Sequence, residues 1–106
     1  MYVQVDLGSV PPAVTLEEPA DTTRFHVAVI GGTDAAMVFG ALVDAAAGRL
    51  EGEDAFITVD AVRRMANGRV EPEWDGELTK MIEFARSKGW FDDAGHAIRA
   101  HVEWPE

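Results

Sequence analysis

The residues of this chain best suited to chemistry are two histidines and two carboxylates. Asp6, His26, His101 and Glu103 fall on three segments that alternate apolar and polar residues, the period of a half-buried strand. Val3, Val5 and Leu7 form one inward set, Phe25, Val27 and Val29 a second, and Ile98, Ala100, Val102 and Trp104 a third. If all three sets face a common core, the opposite face carries Tyr2, Gln4, Asp6, Arg24, His26, Arg99, His101 and Glu103. Imidazole and carboxylate together suit Zn²⁺ or a related ion. Histidine near neutral pH is also the natural proton carrier. No ligand-spacing motif accompanies the set. The plain alternative is a solvated or subunit-facing surface with cross-strand ion pairs.

Other groupings are less specific. Ile30-Gly31-Gly32-Thr33-Asp34 resembles a strand-to-helix turn whose amides could hold an anion. It lacks both the P-loop lysine and the three-glycine dinucleotide pattern, and Asp34 would repel phosphate. Arg63, Arg64 and Arg69 form the one basic cluster, between two expected helices. A DNA-contacting regulator is therefore a weaker alternative, opposed by Glu73, Asp75, Glu77 and Glu83 on the second helix. Asp92-Asp93-Ala94-Gly95 lacks the alternating ligands of an EF-hand loop and reads as a turn, with His96 beside it exposed. Trp74, Phe84, Trp90, Phe91 and Trp104 could line a pocket, but their spacing fits core packing. Ser9 and Ser87 have no evident triad partners, and no cofactor is implied.

Stepping along the chain gives the elements that would position these groups. Residues 2–7 form a strand, and 13–16 a short edge strand kept from the centre by Pro11-Pro12. Residues 17–23 form a surface loop, and 24–30 the strongest strand. Thr33 or Asp34 caps a helix running to about Ala47, with Gly48 as its C-cap. On that helix Phe39, Val43, Ala46 and Ala47 centre the apolar side, covered by the domain or by a partner. Residues 50–54 read as an acidic loop. Thr58 caps a short helix with Val59, Val62, Met65 and Ala66 inward, ended by Asn67-Gly68. Pro72, Glu73 and Glu77 open the last helix. Its stripe is Trp74, Leu78, Met81, Ile82 and Ala85, and Gly89 stops it. Trp90-Phe91 makes an aromatic hinge into a closing strand over 97–104.

The expected fold is α+β, one domain over 1–106. About three helices cover one face of a small, mostly antiparallel sheet of three to four strands, in the order β-(β)-β-α-α-α-β.

The totals narrow the function. The chain has 106 residues, 47% of them hydrophobic, which suffices for one core. Nineteen acidic against nine basic residues give a net charge of −10, which disfavours nucleic acid and anionic lipid. The lack of cysteine excludes disulfides and thiolate chemistry. The N-terminus does not read as a signal peptide, and no stretch is long and apolar enough for a membrane span, so the expected setting is the cytoplasm. No motif assigns a family or a reaction. The reading is a small acidic protein that binds another protein or itself, as a homodimer, through the outer sheet face or a strand edge. The alternative is a small enzyme or metal-binding protein using Asp6, His26, His101 and Glu103.

Overall fold

The computed structural model describes residues 1–105. Seven strands and three helices follow in the order β1 (Tyr2–Asp6), β2 (Ala13–Glu17), β3 (His26–Ile30), α1 (Ala35–Asp44), β4 (Gly48–Glu51), β5 (Asp54–Thr58), α2 (Val59–Ala66), α3 (Trp74–Ser87), β6 (Phe91–Asp92) and β7 (Ala97–Glu103). All the strands belong to one sheet, ordered β2-β1-β3-β7-β5-β4, with β6 also paired to β7. The pairs β1–β3 and β3–β7 are parallel, and the others are antiparallel.

The fold is thus α+β with three helices, but the sheet is large and mixed, not the small, mostly antiparallel one expected. The expected three to four antiparallel strands become seven mixed ones, and the order β-(β)-β-α-α-α-β gives way to β-β-β-α-β-β-α-α-β-β. Two causes explain the difference. Residues 48–58, where a loop over 50–54 and caps at Gly48 and Thr58 were expected, form the β4–β5 hairpin, whose register Glu51↔Asp54 leaves a two-residue turn. Gly52 takes the first turn position at φ 61°, as such hairpins favour. Acidic residues hide this turn in the sequence, and Ala55 and Ile57 are the only inward apolar residues on β5. Second, β2 occupies one edge of β1, so β3 pairs on the other edge and runs parallel to it.

The sheet curls around its helices. α1 touches β1 and β2 at one end of the sheet and β4 at the other, while α2 touches both β2 and β5. Strand twist produces such curvature. Inside the curl lie Val3, Val5, Val27, Ile57, Val38, Leu42, Val59, Val62 and Leu78, all fully buried. The expected strand phases of β1, β3 and β7 hold, with Val102, Ala100 and Ile98 inward.

Local chemistry sets the helix ends. The Asp34 carboxylate accepts from the amides of Ala36 and Met37 at 2.9 and 3.3 Å. Thr58 Oγ1 accepts from the amide of Ala61 at 3.2 Å. Gly89, at φ 78°, follows the end of α3. The end of α1 departs from expectation: the helix stops at Asp44, and Ala46 takes the positive φ of 52°. Gly48 instead opens β4, where a Cβ would lie 1.8 Å from the Phe56 carbonyl oxygen.

Of the three tryptophans, one lies as expected and two do not. Trp74 is buried, and its indole N–H donates to the Pro19 carbonyl. Trp104, expected inward, follows the end of β7 and is exposed, and Trp90 does not seal the hinge but stands exposed beside Phe84. No helix among the described residues is long and apolar enough to cross a membrane.

Candidate functional site

The outer face of the sheet brings the two sequence-predicted histidines into register. His26 on β3 pairs with His101 on β7, Tyr2 on β1 flanks His26, and Asp54 on β5 flanks His101. The Tyr2 and His26 rings stack, with centroids 5.0 Å apart and planes 15° from parallel. His26 Nε2 lies 3.4 Å from Glu103 Oε2. His101 Nδ1 lies 3.7 Å from Asp54 Oδ1, while Arg99 takes the other Asp54 oxygen at 2.7 Å. The result is two separate histidine–carboxylate couples. Asp6 does not join them: its carboxylate accepts from the Gly8 amide at 2.9 Å in the following turn. This face lies outside the curl, with His101 and Glu103 exposed. No group of three or more histidine and carboxylate side chains among the described residues is placed to hold a metal ion. The geometry supports cross-strand ion pairing.

The same face is fastened at its far end. Arg49 on β4 lies over the Phe56 ring at 4.5 Å and reaches Glu51 at 2.8 Å and Asp92 at 3.3 Å. The Glu51 carboxylate raises the Arg49 pKa further. The backbone N–H of Gly95, followed by the Arg49 guanidinium, holds the Asp92 carboxyl below the usual carboxylate range. These contacts explain the acidic turn of residues 92–95 as structure: Asp92 also accepts from the Ala94 amide at 3.1 Å.

The basic cluster is likewise spent on the fold. Arg63 donates to Asp75 on α3 at 2.9 Å. Arg64 donates to the Ala45 carbonyl after α1 at 2.8 Å. Arg69 donates to the Leu16 carbonyl on β2 at 2.6 Å. Each guanidinium braces α2 or its exit to a different neighbour. The Gly31-Gly32 turn is steric in origin, because a Cβ on Gly31 would meet the Gly8 amide nitrogen at 2.4 Å.

Two features stand out that the sequence reading placed elsewhere or missed. One is α1. Val38, Ala41 and Leu42 are buried, and Phe39 and Val43, expected on the covered side, point outward at 45% and 52% exposure. The helix is apolar almost all round, so its sequence carries no readable phase. From 35 to 43 it has no charged residue. Met37 joins the exposed set, and Pro11 and Pro12 of the β1–β2 connection lie beside Met37 and Gly40 along a shallow groove. Val10, next in the chain to Pro11, is almost fully exposed.

The other feature is a cleft of about 630 Å³ between α3 and the loop that leads into β3. It opens where the sheet splits. β6 pairs with β7 at Phe91↔Ile98, and β3 takes over the same side of β7 at His26↔His101. Phe25, Met81, Phe84 and Trp90 form its apolar lining, and Arg24, Lys80 and Arg99 contribute cations. Phe84 and Trp90, assigned to the core from their spacing, meet edge to face at 6.0 Å. None of the three clefts described for the chain is lined by Asp6, His26, His101 or Glu103.

No protein-family model, curated protein or solved structure matches the chain. The geometry of its own residues is therefore the basis of any functional reading.

Proposed function

We propose that the protein acts by binding and that it pairs with a second copy of itself through the outward face of α1. The observation that carries this reading is the outward side of α1, uncharged from 35 to 43 with Asp44 at its end, where Met37, Phe39 and Val43 are each exposed by 45% or more. Several large exposed apolar side chains on one helix mark an interaction surface more than single scattered ones do. Electrostatics limits where a second copy can dock. Two chains of net charge −10 repel one another. Residues 35–43 of α1 let them meet over an uncharged stretch, with Asp44 the one acid at its end. A two-fold contact uses one patch twice, and the space outside Gly40, where a Cβ would meet nothing within 4 Å, leaves room for a crossing helix. The outer sheet face suits the role less well, since Arg99 and Asp54 on it pair across the strands and Glu103 lies against His26.

Sedimentation velocity on the wild type and on Phe39→Glu and Val43→Glu variants tests the reading. A dimer is expected at about 100 μM wild-type protein, where even micromolar affinity would populate it. Both variants should sediment as monomers with an unchanged circular dichroism spectrum, since neither side chain is in the core. A wild-type monomer at that concentration, or variants that still pair, would contradict it. If the wild type is monomeric, the apolar face is left to a different protein.

A further inference from the structure

We infer that the cleft at the split in the sheet binds a small molecule with a planar apolar body and one anionic group. The body lies against Phe25, Met81, Phe84 and Trp90, and the anion faces Arg24 and Lys80. Size comes first: about 630 Å³ falls in the range of small-ligand sites. The chemistry of the wall comes second. Phe84 and Trp90 keep 57% and 44% of their surface exposed while lining a concavity. Aromatic walls with a few placed polar groups are the usual make-up of such sites, and flat rings stack well on them.

Charge decides the class of ligand. The lining holds Arg24, Lys80 and Arg99 against Asp21 and Glu77, a net of +1 in a chain of net −10. Asp21 is occupied: it accepts from the Thr23 amide and hydroxyl, and lies 4.0 Å from the N-terminal amine. Those Thr23 bonds hold its carboxyl below the usual range, with a smaller contribution from nearby Arg24. Arg99 is occupied by Asp54. Arg24 and Lys80 make no ion pair among the described residues. A cationic ligand would meet these two charges, and the Phe84 ring already has Lys88 Nζ 5.6 Å from its centre. An anion meets neither obstacle, and the remaining lining acid, Glu77, is outnumbered by Arg24 and Lys80.

A pair of dyes tests this directly, because they share a ring system and differ in charge. One is 8-anilinonaphthalene-1-sulfonate, and the other is neutral N-phenyl-1-naphthylamine. Fluorescence titration should show both binding, the sulfonate at least about fivefold more tightly, as expected for one charge-assisted contact. An Arg24→Glu/Lys80→Glu double variant should lose about tenfold or more for the sulfonate and stay within about twofold for the neutral dye. Both positions are exposed, so the fold should survive, which circular dichroism checks. Trp90→Ala should weaken both dyes. Phe39→Glu, which alters only the α1 face, should leave both unchanged, and this separates the cleft from the proposed dimer contact. No binding of either dye would overturn the inference. So would sulfonate binding that ignores the double variant, dye binding that ignores Trp90→Ala, or a dye signal that disappears with Phe39→Glu.

Discussion

Trp74 and Trp104 show how differently one residue type can be used in this chain. Trp74 is 7% exposed and ties α3 to the loop after β2 through its indole N–H. Trp74→Ala should lower unfolding free energy by about 3–5 kcal/mol. Trp104→Ala, at 39% exposure, should cost less than about 1 kcal/mol. Urea denaturation of the two variants checks both, and equal losses would show the burial to be misassigned. At the same scale, Asp92 gives a pH dependence. Its folded-state pKa lies below the ordinary value of 3.8. Its stabilising effect is therefore fully present above the unfolded-state pKa and is lost as pH falls through the folded one. Asp92→Asn should be less stable than wild type at pH 7, and the gap should close below about pH 4. Urea midpoints at pH 7 and in acid measure this directly. Residue spacing alone revealed that His26 and His101 share a face. It could not reveal Asp54 as the partner of His101, because that depends on β5 lying beside β7.

Among the elements, the β4–β5 hairpin is where sequence patterns were weakest and backbone constraint is strongest. Alanine at Gly48 would place its Cβ 1.8 Å from the Phe56 carbonyl oxygen, a backbone atom that cannot swing aside. Gly48→Ala should therefore destabilise by at least about 2 kcal/mol. Gly76, exposed in α3 with open space around its Cβ position, should behave in the opposite way. Gly76→Ala should stabilise by about 0.5–1 kcal/mol, the helix-propensity difference. Thermal melts of the pair test the assignment of Gly48 to a strand crossing and Gly76 to a helix. Elements with a clear period were legible: β1, β3 and β7 by alternation, and α2 and α3 by their stripes and caps. The hairpin was not, since three residues in and around its turn are acidic and its inward side offers only small signals such as Ala55 and Ile57. Nor was the orientation of α1, because a helix with apolar residues on every side has no phase to read.

At the scale of the whole molecule, the sheet curls so that α1 bridges its two ends. That places the histidine–carboxylate couples on the outside and leaves one side of α1 unclaimed by the core. Strand order and curvature arise from long-range pairing, which local patterns do not encode, so both candidate surfaces had to come from the structure. A protein of net charge −10 with one helix uncharged over residues 35–43 should associate there against its own electrostatic repulsion. Salt then becomes the diagnostic variable, since screening weakens repulsion between the copies while leaving apolar contact in place. Sedimentation equilibrium at about 0.05 M and about 0.5 M NaCl measures this, the two conditions differing severalfold in screening length. The dimer at α1 predicts association that strengthens with salt and disappears in Phe39→Glu. A monomer at both salt concentrations, or pairing that weakens as salt rises, would contradict it.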